Sequence, residues 1–160
     1  MVACSGASNA STTGVSEAVP KQDPDRLIAE INGAGVAAHQ IDTFGTEPVG
    51  GSGMLICVGA EEVAVYVFND EAAATEAAAR IDPVDPSNLG NASVAWAGRP
   101  RFWQRGPILV LYLGEDVATE DLLTKTLGPP FAQGAGPGRG VPGIPSVLCR
   151  GLSSPMTCIV

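Results

Sequence analysis

The residues of this chain that could do chemistry are one histidine, four cysteines, two adjacent glutamates and a short stretch rich in arginine and tryptophan. With His39 as the sole histidine, a metal site built on two imidazoles is excluded, while a single Ser-His-Asp triad using His39 is not. Asp42 follows three residues on. On a regular strand, positions i and i+3 face opposite sides, so Asp42 could orient the imidazole only where the strand bends. A lone strand histidine is more often structural. Cys57 stands in an apolar run with Leu55, Ile56 and Val58 and reads as a buried thiol behaving as a small hydrophobe. A catalytic thiolate would want a base beside it and an electropositive setting. A hydrolase-like enzyme therefore requires a pocket in which His39 meets Cys57, Ser52 or an acid. Glu61 and Glu62 are neighbours in a predicted turn, which suits solvation better than paired-carboxylate catalysis. The stretch "GAGPGRG" (134–140) has the glycines of a phosphate loop but neither the GK[ST] ending nor a helix after it. No cofactor is implied.

The most unusual constellation is "WAGRPRFWQRG" (96–106), in which residues 99–105 carry three arginines and no acid although the chain's formal charge is −8. Alternation along a strand would point Arg101, Trp103 and Arg105 one way and Phe102 and Gln104 the other. Arginine beside tryptophan can stack, and can grip carboxylate or phosphate with two parallel hydrogen bonds. The functional reading is a contact patch of Arg99, Arg101, Trp103 and Arg105 for an anionic ligand, a protein partner or lipid head groups. The structural reading pairs these arginines with the chain's own carboxylates and places Trp96 and Phe102 in the core. The acidic balance itself repels phosphate backbones and argues against a nucleic-acid partner.

What must position these residues is legible from pattern. The length, 160 residues, suits one domain. Residues 1–22 hold Cys4 and a Ser/Thr/Ala/Gly-rich run without hydrophobic period, the composition of a flexible linker. Residues 132–160 are rich in Gly and Pro and predict a mostly irregular tail whose deletion leaves the domain's melt unchanged. Within it, Cys149 and Cys158 could close a disulfide loop outside the cytoplasm, leaving Cys57 unpaired; two unlinked thiols are the alternative. The folded part is then 23–131. "DPDRLIAEINGAG" predicts a helix with Asp23 as cap, Pro24 at its first position, and Leu27, Ile28 and Ile31 on one face. A strand follows over 36–44, and "GMLICVGAEEVAVYVF" predicts a hairpin. "NDEAAATEAAARI" predicts a helix capped by Asn69 or Asp70. The order then returns: a strand at 93–98, a hairpin turning at Arg105-Gly106-Pro107, and a helix over "EDVATEDLLTKTLGPP" stopped by Gly128. An offset of 45 residues lays "VAVYVFNDE" (63–71) on "ILVLYLGED" (108–116). The expectation is an α+β domain: an antiparallel, curved sheet of about six strands with two to three helices, arranged as two β-β-β-α repeats after a leading helix. Both runs are apolar at every position, which puts them at the sheet's centre, with Val63, Val65 and Val67 on one face and Ala64, Tyr66 and Phe68 on the other.

The start of the chain, Met1-Val2-Ala3-Cys4 before its Ser/Gly/Ala/Thr tether, resembles the lipobox of bacterial lipoproteins. Val2, Ala3 and Cys4 match; Met1 stands where leucine is usual. No basic segment and no apolar run precede Cys4, so the resemblance implies a signal segment upstream of Met1. "WAGRPRFW" (96–103), "ILVLYLG" (108–114) and "LGPPF" (127–131) are similar to small bacterial lipoproteins of unknown function. The resemblance implies a lipid on Cys4, a membrane partner reached through that lipid and an extracytoplasmic location, and it implies no activity. A cytoplasmic interaction domain with an incidental Cys4 is the rival.

Overall fold

The computed structural model describes residues 22–135 and Cys149. Residues 1–21 and the remainder of 132–160, and with them Cys4, the expected linker and Cys158, lie outside the described residues. Asp23 and Asp25 occupy the first turn of α1 (Gln22–Gly33), where carboxylates face unpaired backbone N–H groups. Pro24 is tolerated there because its missing N–H would have had no partner. Next come β1 (Ala38–Phe44), β2 (Ser52–Val58), β3 (Glu61–Val67) and α2 (Glu71–Ala79). A small ribbon, β4 (Asn88–Leu89) and β5 (Ala92–Ser93), precedes β6 (Arg101–Arg105), β7 (Ile108–Tyr112), α3 (Val117–Leu127) and β8 (Ala132–Gln133).

The domain is α+β, as expected. Its main sheet has six strands in the order β1-β2-β3-β7-β6-β8, and all neighbours pair antiparallel. The two wholly apolar strands, β3 and β7, lie at the centre. Both hairpins turn through two residues, Gly59-Ala60 and Gly106-Pro107. The glycines take φ of 61° and 54°, while among the described residues no non-glycine has positive φ. That is the type II′ pattern, whose twist matches the flanking strands and whose first position demands glycine.

Helices cover both faces of the sheet. Leu27 and Ile31 of α1 and Leu123 of α3 pack on Ile56, Val58, Val63, Val65, Trp103, Val110 and Tyr112. On the other face, Ala74, Ala77 and Ala78 of α2 pack with Tyr66, Phe102, Leu109 and Leu111. The buried side chains of α2 are all alanines, so that helix can lie close against the sheet. Val63, Val65 and Val67 fall to the first face and Ala64, Tyr66 and Phe68 to the second, as alternation requires.

The 45-residue offset has a structural counterpart at the centre. It maps Val65 onto Val110, and those two are register partners across β3 and β7. The copies diverge outside the hairpins. α2 leaves toward the second face and α3 toward the first. The strand expected at 93–98 gives only Ala92–Ser93, in the separate ribbon. The rest of that stretch is held by other means: Trp96 Nε1 donates to the Pro86 carbonyl at 3.0 Å and its ring meets Phe102 edge-on. The sheet's sixth strand is supplied instead by β8, which pairs with Arg101 and Phe102 of β6. The sheet thus takes in Ala132 and Gln133, just past residue 131.

Candidate functional site

The arginine-tryptophan strand is turned inward. Arg101, Trp103 and Arg105 do share a face of β6, but α1 and α3 cover it. Trp103 is 0% exposed and Arg101 3%, so the solvent-facing patch of the functional reading is not formed. The physical reason is visible in the partners. Arg101 Nη2 lies 2.9 Å from Glu120 on α3, and its Nη1 donates to the Gly114 carbonyl at 2.9 Å. Arg105 Nη1 donates to Glu30 on α1 at 2.6 Å. That bond, opposed by partial burial and assisted by Arg26, lowers the Glu30 pKa. The local excess of positive charge is therefore spent inside the molecule, fastening both helices to the strand. Arg99 alone of the set is exposed, and its Nε donates to the Gly134 carbonyl.

His39 and Cys57 do meet. They are register partners across β1 and β2, and Cys57 is in turn the partner of Glu62 on β3. The three side chains form one row across the second face. Asp42 joins that face through an irregularity in β1. Ile41 is bulged out of the ladder, so Asp42 pairs with Leu55, two residues from Cys57. Even so, no triad is assembled: Asp42 accepts from the Thr43 N–H, and His39 Nε2 is enclosed without a partner. Ser52 sits at the far end of β2, about 17 Å along the strand from Cys57 at the usual rise.

Cys57 is not a free thiol. It is bonded to Cys149, 92 positions away, with the Cα atoms 5.5 Å apart. This corrects two expectations, an unpaired Cys57 and a Cys149–Cys158 loop. The reason is a contact distant in sequence: Cys149 lies against the sheet, its Sγ 3.5 Å from the Glu61 carbonyl oxygen. A sulfur held in that bond cannot serve as a thiolate nucleophile, so the row has no catalytic attacking group while oxidised. Sequence spacing could not have chosen this pairing among four cysteines.

A third cluster carries no sequence motif. The Asp116 N–H donates to the Tyr112 hydroxyl at 3.0 Å, and that hydroxyl donates to Glu61 at 2.9 Å. Burial, reinforced by the nearby carboxylates, raises the Tyr112 pKa, so the phenol stays protonated. Gly114 makes the arrangement fit, because a Cβ there would overlap the Tyr112 ring and hydroxyl and the Glu61 carboxylate. Beside this chain opens a cavity of about 250 Å³ walled by Val36, Val58, Glu61, Asp116, Thr119 and Leu122. Its one signal in the sequence is a hydroxyl-bearing residue, Tyr112, ending an otherwise aliphatic strand. Among the described residues no group of three or more His, Cys, Asp or Glu side chains is placed to hold a metal ion.

Asp116 is also the cap of α3, accepting from the Thr119 N–H at 2.8 Å and the Thr119 hydroxyl at 2.7 Å. Those two bonds hold its carboxyl below the ordinary value of 3.8. Asp116→Ala should destabilise the domain by about 1 kcal/mol at neutral pH, the usual loss for a cap. Because the folded pKa is depressed, the contribution is complete above the unfolded value and fades as pH falls through the folded one. The gap between wild type and variant should therefore shrink below about pH 4, as urea melts across pH would show; a gap independent of pH would contradict the capping role.

Comparison with protein-family models, with curated proteins and with solved structures finds no match for this chain.

Proposed function

We propose that this chain is an extracytoplasmic domain tethered to a membrane by lipid on Cys4, with a binding or structural role in the cell envelope. The observation that carries the reading is the Cys57–Cys149 bond. Disulfides persist in oxidising compartments and are rare in the reducing cytoplasm. The bond thus supports, independently of the first four residues, the location that those residues imply. It also weighs against both rivals. A cytoplasmic domain would keep Cys57 reduced, and an enzyme using Cys57 as nucleophile would need it free. Among the described residues no helix is long and apolar enough to cross a membrane, so attachment in this reading rests on the lipid. One acyl chain anchors marginally and two or more hold firmly. With Arg101 and Trp103 buried, the membrane is reached through Cys4 and not through the strand at 101–105.

The test is made in the native gene context. Cys4→Ser should move the protein from the membrane fraction to the soluble fraction and abolish labelling by a fatty-acid analogue. Unchanged partitioning, or no label on the wild type, would overturn the lipid anchor.

A further inference from the structure

Four enclosed polar atoms among the described residues have no hydrogen-bond partner: His39 Nε2, Arg101 Nε, Trp103 Nε1 and Arg105 Nη2. The two arginines have other N–H groups engaged, and the indole lies among apolar side chains. His39 differs. Its idle nitrogen belongs to the residue directly across the ladder from Cys57, and directly opposed residues hold their Cβ atoms about 4.5–5.5 Å apart. An enclosed nitrogen without a partner is unfavourable, and a role in a second redox state of the site is one of the reasons such a group is kept. The state that would use it here is the reduced one, in which a Cys57 thiolate, with acidic Glu62 as its other cross-strand neighbour, would need a hydrogen bond from His39.

We propose that the Cys57–Cys149 bond is exchangeable, opened by a dithiol, and that His39 is the positioning residue that receives the departing Cys57 thiolate. One thiolate of the dithiol attacks the sulfur of Cys149, the residue outside the sheet ladder and 3% exposed against 0% for Cys57. The Cys57–Cys149 bond breaks as the new bond to Cys149 forms. Its electron pair leaves on Cys57 Sγ, toward which His39 donates. The dithiol's second thiol loses its proton to solvent and attacks its own sulfur in the mixed disulfide. Cys149 departs as a thiolate and takes a proton from water. Two electrons have then passed from the dithiol, now a cyclic disulfide, to the cysteine pair. Both cysteines are more than nine-tenths enclosed, so Cys149 must move outward before attack. Reduction then removes the covalent tie between Cys149 and β2. The proposal does not depend on the lipid at Cys4.

The experiment equilibrates the intact chain in dithiothreitol buffers of graded ratio and reads the pair by thiol trapping. The wild type should open and reclose without denaturant. His39→Leu removes the donor from the reduced state, so its midpoint should fall by about 30 mV or more, a tenfold change for a two-electron couple. His39→Gln keeps a donor and should fall less. The oxidised His39→Leu protein should melt no earlier than the wild type, because it gives up no hydrogen bond; a purely structural histidine would do the reverse. A second measurement uses no His39 variant. Reduced wild type at neutral pH should show ultraviolet thiolate absorbance that Cys57→Ser abolishes. A bond reducible only in denaturant, an unmoved midpoint in His39→Leu, or no thiolate absorbance in the reduced wild type would each overturn the proposal.

Discussion

Cys149→Ser should lower the unfolding free energy by about 2–5 kcal/mol, read from urea melts of the oxidised protein. The bond joins positions separated by 92 residues. In the chain-entropy view, a loop on the order of 100 residues is worth about 4.7 kcal/mol through restriction of the unfolded ensemble. Serine is the clean substitution at 149, because Cys57 then remains in the sheet as a small apolar side chain. The slope of the melt should also steepen, since an uncrosslinked unfolded chain exposes more surface. Reductant should bring the wild type down to the variant and leave the variant where it is. A variant that melts with the wild type would mean that the bond contributes nothing to the fold. The same reasoning reverses what composition suggests for 132–160. A Gly/Pro-rich tail looks dispensable, yet Ala132 pairs in the sheet and Cys149 is fastened to it, so deletion of 132–160 should destabilise the domain.

How much of the fold is legible in the sequence follows from the range of the forces involved. The caps are local: Asp70 and Asp116 stand one residue before α2 and α3 and accept from Ala73 and Thr119. The hairpins are local too, fixed by a glycine at each turn. The central place of β3 and β7 follows from their lack of polar positions, because a strand with no wet face must be covered on both sides. The remainder depends on contacts distant in sequence. Nothing near Cys57 announces Cys149. Arg101 and Trp103 alternate correctly with Phe102, but alternation gives two faces without saying which is wet. In this fold neither is, because α1 and α3 take the face that composition leaves for solvent. The bulge at Ile41 is also silent in the sequence. It brings Asp42 onto the face of His39, a condition that spacing alone can name but not supply.

The inward turn of β6 fixes the expectation for Trp103. The indole is fully enclosed among Leu27, Ile31, Val65, Val110 and Leu123, beneath both helices of the first face. Trp103→Ala should therefore cost about 3–5 kcal/mol, the range for truncating a buried aromatic side chain. Part of that loss is transfer of the ring's area to water, and part is the void left where α1 and α3 cannot settle into the gap. Trp103→Phe should cost distinctly less. Its ring fills much of the space, and the indole N–H has no partner to forfeit. Arg99→Ala offers the contrast within the same stretch: Arg99 is exposed, and its replacement should stay within about 0.5 kcal/mol. Urea melts of the three variants measure the series. A Trp103→Ala protein within about 1 kcal/mol of wild type would mean that the indole is not enclosed in solution. It would return the strand to consideration as a surface for an anionic partner. The expected order, with Trp103→Ala far below Trp103→Phe and Arg99→Ala near wild type, assigns the strand to holding the two helices on the sheet.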